Sequence, residues 1–356
     1  MEPRDLSEHV EYAAGGGIEE VARELGRDPA GFTKLASNEN AHGPSPAAVE
    51  AIRAAAGEVH RYPKAAHADL TDAVAGRHGV TPEQVWLSPG ADGAIDYLSR
   101  ATLDPGDEVL VPDPGFAYYG MSARYHHGAV HTYPVERERG LALDDAAVLG
   151  AYAGERLVYL TSPHNPTGAR FALDDVAAIA RATDDHTLTV VDEAYVEYAD
   201  GPSAVELLGE RDDVAVLRTF SKAFGLAGLR VGYAVVPGEW AGAYRRVNTP
   251  FAANEVACRA GLAALDDGEH VERAVETARW AREYIRAELD ARTWESHANF
   301  VLAEVGDAAE VAEAARRQGL IVRDCTSFGL PDCIRVTTGT REETREAVET
   351  LNGVLG

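Results

Sequence analysis

Short apolar runs alternate with amphipathic helical segments through residues 85–236, and this alternation allows few folds. Several runs are apolar throughout, as strands buried on both faces of a mostly parallel sheet must be. Between two of them, Val176, Ile179 and Ala180 recur at helical spacing. The sequence therefore predicts an α/β domain with helices on both faces of the sheet and right-handed crossovers. The predicted strands are "VWL" (85–87), "EVLVP" (108–112), "AVHTY" (129–133), "LVYLTSP" (157–163), "LTVVDEAY" (188–195), "VAVLRTFS" (214–221) and "RVGYAVV" (230–236).

After residue 250 the pattern changes to long helices and short strands, which is typical of a smaller α+β domain. Helices are predicted over 268–290, 308–317 and 341–352, and strands near 299–304, 320–323 and 333–337. A chain of 356 residues has the length of about two domains. The predicted division is an N-terminal arm with part of the small domain (1–30), a large domain (31–250) and a small C-terminal domain (251–356).

The charge of the chain is strongly acidic, and lysine is scarce. Lys34, Lys64 and Lys222 are the only lysines among 33 basic residues, while aspartate and glutamate total 58. The formal net charge of −25 argues against a nucleic-acid partner, because a polyanion binds basic surface. We infer a salt-adapted source, although a GC-rich genome produces the same bias toward arginine and composition does not separate the two.

The cysteines and the apolar stretches narrow the class of protein further. Cys258, Cys325 and Cys333 are too few and too irregularly spaced for a disulfide framework or a zinc site, so we expect reduced thiols and no metal. No stretch reaches the ~18 consecutive apolar residues that a membrane span needs. The start, "MEPRDLSEHV", lacks the pattern of a signal peptide. We therefore expect a cytoplasmic protein without a membrane partner.

Polar motifs follow the predicted strands at their C-terminal ends, where ligands of open α/β sheets collect. "SPGADGAIDYLSR" places the backbone N–H groups of Ala91 and Asp92 at a helix start, which suits a phosphate. "SPHNPTG", "VDEAY" and "TFSK" follow later strands, and Arg230 comes eight positions after the lysine of the last motif. Taken singly, Asn165 or Tyr195 is equally compatible with a turn residue or a satisfied buried polar group.

The ordered set of Asn, acid, Tyr, Ser-Lys pair and Arg resembles the cofactor pocket of the fold type I pyridoxal-phosphate aminotransferases. The resemblance covers essentially the whole chain and narrows to the histidinol-phosphate aminotransferase family. Two positions depart from the family pattern, since His164 stands where Asn is usual and Gly93 where Glu is common. The similar segments are "EYAAGGGIEEVARELG", "LASNENAHGPSP", "RYP", "GADGAID", "SPHNPTG", "DEAYVEY", "SKAFGLAGLRVGY", "HANFVL" and "GLIVRDCTSFGLPDCIRVTTGTREE".

Lys222 has a chemical reason to remain lysine in an arginine-rich chain. An aldehyde cofactor needs an amine that becomes neutral, bonds to the aldehyde carbon and later carries a proton, whereas a guanidinium stays protonated. We therefore expect Lys222 to bind pyridoxal 5'-phosphate covalently and to act as the catalytic acid and base. The resemblance implies that Asp192 pairs with the pyridine nitrogen, that Tyr195 and Asn165 contact the ring oxygen, and that Phe116 covers the ring.

The resemblance also assigns the groups that hold the cofactor phosphate. Tyr62 of the partner subunit is expected to reach the same phosphate, which implies a homodimer with an active site shared across the interface. The groups within one chain are the backbone of Ala91 and Asp92, the hydroxyls of Thr219 and Ser221, and Arg230.

Arg323 and Arg335 lie on two predicted C-terminal strands. The resemblance assigns them, with Tyr12, to the anionic end of the substrate, and it places Asn299 of "HANFVL" at the substrate site. Guanidinium groups suit both a phosphate and a carboxylate. The implied reaction is amino transfer from L-histidinol phosphate to 2-oxoglutarate, a step of histidine biosynthesis. An aromatic amino acid aminotransferase and threonine-phosphate decarboxylase remain alternatives, because both share the cofactor residues.

Overall fold

Two β-sheets organise the part of the chain that this computed structural model describes, namely residues 6–7, 9, 17–64 and 67–356. The described strands are β1 (Thr33–Leu35), β2 (Val85–Ser88), β3 (Glu108–Asp113), β4 (Ala129–Pro134), β5 (Leu157–Thr161), β6 (Leu188–Asp192), β7 (Val214–Thr219), β8 (Gly232–Val235), β9 (Arg292–Thr293), β10 (Phe300–Glu304), β11 (Leu320–Asp324) and β12 (Cys333–Thr337).

The helices connect these strands and cover both sheets. They are α1 (Ile18–Leu25), α2 (Pro46–Ala55), α3 (Ala68–His78), α4 (Gly90–Thr102), α5 (Tyr118–Tyr125), α6 (Asp145–Ala151), α7 (Leu173–Ala182), α8 (Tyr244–Val247), α9 (Glu255–Asp266), α10 (Gly268–Glu288), α11 (Ala308–Gln318) and α12 (Arg341–Leu355). Within the described ranges, no helix combines the length and the apolar character that crossing a bilayer requires.

The larger sheet has the strand order β2-β8-β7-β6-β5-β3-β4. Strands β3 to β7 pair in parallel, and β8 pairs antiparallel with β2 and β7. Every residue of β5, β6 and β7 is buried, because separate apolar clusters lie on the two faces. Helices α7 and α9 contribute to one cluster, and α4 and α5 contribute to the other. The predicted α/β domain is confirmed.

The smaller sheet has the order β1-β11-β12-β10-β9 and packs with α10, α11 and α12. Strands β10, β11 and β12 pair antiparallel, as expected for the C-terminal α+β domain. Strand β1 was not among the predicted strands, since its three residues, "TKL", carry too little pattern to read. It pairs in parallel with β11 and so adds an edge to this sheet.

The predicted division into domains remains a prediction. Two segments near its boundaries pack with the sheet on the other side of the boundary. Strand β1 follows residue 30 but belongs to the smaller sheet. Helix α9 follows residue 250 but packs against α2 and α3, where Ala257 and Ala260 join the core of the larger sheet. The chain therefore crosses between the two units beyond residue 35 and again near the start of α10.

Candidate active site

The carboxyl ends of β5, β6 and β7 bring the predicted motifs together. These strands are neighbours in the order β7-β6-β5, and each ends before its apolar run does, at Thr219, Asp192 and Thr161. Lys222 follows β7 by three residues and Asn165 follows β5 by four. Because parallel strands end at the same edge of a sheet, the lysine, the acid and the asparagine lie at one edge, where ligands of such sheets bind.

Lys222 is partly buried, and its Nζ donates a hydrogen bond of 3.2 Å to the carbonyl oxygen of Ser37. The same Nζ lies 5.5 Å from the ring centroid of Tyr195. The other two lysines pair with carboxylates, Lys34 with Glu39 and Lys64 with Asp69. Across the described residues, Lys222 forms no ion pair with a carboxylate, so its amine is available for chemistry.

Asp192 lies at the end of β6 with 4% of its surface exposed. One carboxylate oxygen accepts a hydrogen bond of 2.6 Å from the Tyr119 hydroxyl, and the other accepts one of 2.9 Å from the backbone N–H of Ala194. Burial raises the pKa of Asp192 to about 6, because desolvation penalises the charged carboxylate. A cationic partner, such as a protonated ring nitrogen, would offset that penalty.

The protein groups that the sequence predicts to bind a phosphate meet at the start of α4. Arg230 donates to the Ser221 hydroxyl at 3.3 Å and to the Asp92 carboxylate at 2.9 Å. The hydroxyl of Thr219 accepts from the backbone N–H of Ser221 at 3.1 Å, which shapes this loop. Ala91 and Asp92 occupy the first turn of the helix, where backbone N–H groups have no intrahelical acceptor. The cluster offers a hydroxyl, a guanidinium and a helix N-terminus to one anion.

Two glycines keep this anion cluster open. A Cβ on Gly90 would lie 2.5 Å from a terminal nitrogen of Arg230. A Cβ on Gly232, in β8, would lie 2.8 Å from the backbone nitrogen of Ala91. Side chains at either position would therefore displace the arginine or the helix start.

Tyr195 is buried, and its ring packs edge-on against Phe300 at 5.3 Å between centroids. Its hydroxyl accepts a hydrogen bond of 2.9 Å from the side-chain amide of Asn38. Phe116 packs edge-on against Tyr119 at 5.5 Å, which places it beside the hydroxyl that bonds Asp192. Tyr195 thus lies beside the lysine, and Phe116 lies beside the tyrosine that bonds the acid.

Arg335 and Arg323 face each other in the register of β12 and β11. Arg335 is buried, donates to the side-chain oxygen of Asn165 and donates to the carbonyl oxygen of Ala36 at 2.9 Å. Arg323 donates to the Ser327 hydroxyl at 3.0 Å. The structure therefore joins Arg335 to the carboxyl edge of the larger sheet and sets Arg323 opposite it in the smaller sheet.

The remaining predicted site residues are Tyr12, Tyr62 and Asn299. Tyr12 lies outside the described residues. Tyr62 has 84% of its surface exposed and its ring packs at a tilt against Phe251, with 4.9 Å between centroids, so on one chain it faces outward. Asn299 is buried, and its amide donates to the carbonyl oxygens of Asn38 at 3.0 Å and Glu39 at 3.4 Å. These two bonds hold the backbone around Asn38, and the role of Asn299 toward substrate stays a prediction.

The two departures from the family pattern lie outside the reacting groups. His164 is buried, and its Nδ1 pairs with the Thr167 hydroxyl at 2.9 Å. Burial lowers the pKa of His164 to about 4, so the ring is neutral near pH 7. A Cβ on Gly93 would lie 2.4 Å from the ring of Pro89, which explains why this helix turn carries glycine.

Sequence reasoning missed three residues of the site: Tyr119, Asn38 and Thr337. Thr337 had a usable signal, because it follows Arg335 by two residues on one strand and so faces the same side of the sheet. Asn38 stands in the segment "LASNENAHGPSP", but no local pattern tells which of its polar residues turns inward. Its φ of 55° lies in the left-handed region, which asparagine tolerates better than most residues.

Fold and site together define a class. A mostly parallel sheet with a lysine, a buried acid and an anion cradle at its carboxyl edge is the arrangement of a fold type I pyridoxal-phosphate enzyme. Residues 30–351 match the model of the family "Aminotransferase class I and II", and the chain belongs to this family. The residues present fit pyridoxal 5'-phosphate. The anion cluster suits its phosphate, Asp192 suits its protonated ring nitrogen, and the amine of Lys222 suits its aldehyde.

Within that class, the chain is similar over its full length to histidinol-phosphate aminotransferases. It is 67% identical to the enzyme of Natronomonas pharaonis, with all of both chains covered, and 66% identical to that of Haloarcula marismortui, with 100% of this chain and 99% of the relative covered. The haloarchaeal origin of these relatives agrees with the salt-adapted source inferred from composition.

Solved structures of aminotransferases share the fold of this chain. The histidinol-phosphate aminotransferase of Sinorhizobium meliloti in complex with pyridoxal-5'-phosphate matches with a TM-score of 0.84 at 29% identity, covering 96% of this chain and 95% of that one. An aspartate aminotransferase variant from Thermus thermophilus matches with a TM-score of 0.84 at 26% identity, covering 99% of this chain and 100% of that one.

Proposed function

We propose that the chain is a transaminase that converts L-histidinol phosphate and 2-oxoglutarate to imidazole-acetol phosphate and L-glutamate in histidine biosynthesis. The observation that carries the substrate assignment is the facing pair Arg323 and Arg335, with Arg335 bonded to Asn165 at the cofactor edge. Two adjacent guanidinium groups supply the bidentate, charge-assisted bonds that a phosphate monoester takes up. The names of the full-length relatives support the same substrate.

Pyridoxal phosphate supplies an aldehyde and an electron sink for the carbanion that forms at the substrate Cα. Lys222 would hold the aldehyde carbon between reactions and would carry the proton between the substrate Cα and the C4' carbon of the cofactor. Asp192 would keep a proton on the ring nitrogen by opposing its charge. Tyr195 and Asn165 would orient the ring oxygen, and Phe116 would cover the ring.

The phosphate of the cofactor would be held by Ser221, Thr219, Arg230 and the first turn of α4. In the structure the Asp92 carboxylate pairs with Arg230 at 2.9 Å, near the predicted anion position. The backbone N–H of Asp92 is expected to bind the phosphate while its carboxylate stays on the arginine. Each of these contacts would position the cofactor without taking part in proton transfer.

A homodimer in the cytoplasm completes the proposal. Tyr62 and Phe251, which contact each other, have 84% and 50% of their surfaces accessible, and Val59 has 68%. Exposed apolar and aromatic side chains of this size suit an interface. We infer that Tyr62 of the partner subunit contacts the cofactor phosphate. Light scattering at the salt concentration of the activity assay measures the oligomeric state. A fully active monomer would contradict the proposed homodimer.

An amino-transfer assay of the purified protein tests the proposal against the alternatives. Histidinol phosphate is expected to be used better than phenylalanine, tyrosine or aspartate, with glutamate as the co-product. A preference for phenylalanine or tyrosine would favour an aromatic aminotransferase. Release of carbon dioxide from threonine phosphate would favour the decarboxylase.

Arg323 provides a sharper test of the phosphate assignment. Arg323→Ala removes one charge-assisted bond and is expected to lower kcat/KM for histidinol phosphate by about tenfold to a hundredfold, which corresponds to about 1.5 to 3 kcal/mol. Arg323→Lys keeps the charge but loses the planar fork, so a smaller loss is expected. With histidinol, which lacks the phosphate, both variants should approach the low activity of the wild type. Equal wild-type efficiency on histidinol and its phosphate would overturn the assignment.

A further inference from the structure

We propose that Asn38 and Thr337 are positioning residues that direct the hydroxyl proton of Tyr195 toward the ring oxygen of the cofactor. The inference rests on the proposed function, because it concerns the bond that Tyr195 is expected to make there. It adds two residues to the site, neither of which is expected to touch the substrate.

A chain of three hydrogen bonds connects the groups. The backbone N–H of Asn38 donates to Thr337 Oγ1 at 3.0 Å, and Thr337 Oγ1 bonds Asn38 Oδ1 at 3.1 Å. Asn38 Nδ2 then donates to Tyr195 Oη at 2.9 Å. The side chains of Asn38, Thr337 and Tyr195 are 1%, 2% and 5% exposed, so water does not compete for these bonds.

The chain begins at a backbone N–H, which can only donate. Thr337 accepts that bond and donates its own proton to Asn38 Oδ1. The amide oxygen of Asn38 thus points toward Thr337, and its NH₂ group faces Tyr195. The hydroxyl of Tyr195 is then an acceptor from Asn38, and its proton is left for an acceptor on the cofactor side.

The backbone around Asn38 is held by other site residues. Three consecutive carbonyl oxygens accept bonds, that of Ala36 from Arg335 at 2.9 Å, that of Ser37 from Lys222 at 3.2 Å and that of Asn38 from Asn299 at 3.0 Å. Thr337 ends β12, the strand that carries Arg335. The orientation of the Tyr195 proton is therefore tied to the strand that supplies a guanidinium for the substrate.

A hydrogen bond donated to an oxyanion stabilises the charged form. Replacing Asn38 by aspartate puts a carboxylate, which only accepts, where the amide donated. The Tyr195 proton would then turn to residue 38, and the ring oxygen of the cofactor would lose its donor. The visible absorbance of the bound cofactor should titrate at higher pH as a result.

The test is a pH titration of the visible absorbance of the purified holoenzyme. We expect the midpoint of Asn38→Asp to rise by about one pH unit or more, in the same direction as Tyr195→Phe. Asn40→Asp is the charge control, because it adds the same charge two positions away. The Asn40 side chain bonds the carbonyl oxygen of Ala223. The midpoint of Asn40→Asp should move much less.

Two substitutions of Thr337 form a matched pair of variants that tests the first bond of the chain. Thr337→Val keeps the shape but removes the hydroxyl, so the amide of Asn38 loses its orientation and the midpoint should rise. Thr337→Ser keeps the hydroxyl and should titrate like the wild type. Asn38→Gly, which suits the positive φ, should add no shift in a Tyr195→Phe background, because the two residues act through one bond.

Different results would contradict the directed hydrogen-bond chain and the proposed function. Unchanged midpoints in Asn38→Asp and Thr337→Val, in proteins that bind cofactor and transaminate, would refute the directed chain and leave the proposed function standing. A wild type without the visible chromophore would refute the proposed function itself.

Discussion

At the scale of single residues, Lys222 carries the least replaceable chemistry. Lys222→Ala and Lys222→Arg are both expected to lower transamination by more than about a thousandfold, because neither side chain bonds the aldehyde or shuttles the proton. Borohydride should fix the cofactor to the peptide that contains residue 222, which mass spectrometry detects. Lys34→Ala and Lys64→Ala serve as controls and should keep their label. Labelling at residue 34 or 64 would contradict the assignment.

Asp192 makes the stability of the cofactor-free protein depend on pH. Its ordinary pKa of 3.8 is raised to about 6 by burial, so the folded state binds the proton more tightly than the unfolded state. The neutral carboxyl favours folding below pH 4, and this advantage is lost as pH rises through 6, at a cost of about 3 kcal/mol. Asp192→Asn removes the ionisation, and Tyr119 can accept from the new amide while donating to Thr161 at 2.9 Å.

The measurement is the Tm of both cofactor-free proteins at pH 4.5 and pH 7.5. The Tm of Asp192→Asn should exceed that of the wild type by much more at pH 7.5 than at pH 4.5. Adding the cofactor should stabilise the wild type more than the variant, because the ring nitrogen then pairs with the carboxylate. The same Tm difference at both pH values would show that Asp192 keeps its ordinary pKa.

At the scale of elements, a buried ion cluster joins the ends of β6 and β7. Arg218 donates to Glu193 at 2.9 Å and to Glu197 at 2.7 Å, and its side chain is about as buried as theirs. Glu193 follows Asp192 directly, and Arg218 lies in β7 just before Thr219. Glu193 also accepts from the Ser203 hydroxyl and the backbone N–H of Ala204, each at 2.6 Å. The cluster therefore supports the strand ends that carry the site.

Removing the arginine should be costly, because two buried carboxylates lose their counter-charge. We expect Arg218→Met to lower the free energy of unfolding by about 3 to 5 kcal/mol, whereas Arg218→Lys, which keeps the charge, should lose less. Urea unfolding at constant high salt measures both. A loss for Arg218→Met below about 1 kcal/mol, the range of an exposed pair, would show that the cluster is solvated.

Elements also show where sequence patterns stop being informative. The runs 157–163, 188–195 and 214–221 predicted strands that continue into the motifs, but β5, β6 and β7 end earlier. The chain turns there because polar groups take over the hydrogen bonding, as when Asp192 accepts from the N–H of Ala194. Strand β1 was invisible in the sequence because three residues carry no readable period, and its pairing with β11 depends on residues far along the chain.

At the scale of the whole molecule, the net charge of −25 sets the response to salt. Self-repulsion opposes the compact state in dilute buffer, and molar salt both screens it and strengthens apolar burial. The Tm is expected to rise between about 0.1 and 2 M KCl, over which the screening length falls from ~10 Å to below 3 Å. Differential scanning calorimetry at fixed pH checks this, and a flat or falling Tm would count against salt adaptation.

Sequence alone determined the α/β class, the order of the strands along the chain and the identity of the groups at three strand ends. These features are local: strand periodicity spans a few residues, and the need for a lysine follows from its own chemistry. The tertiary structure decided which distant groups meet. Asn38 and Thr337 are 299 positions apart, yet they bond each other. Arg335 reaches Asn165 across 170 positions. Such contacts depend on how two sheets pack, and packing is a property of all the intervening residues together, so no short pattern encodes it.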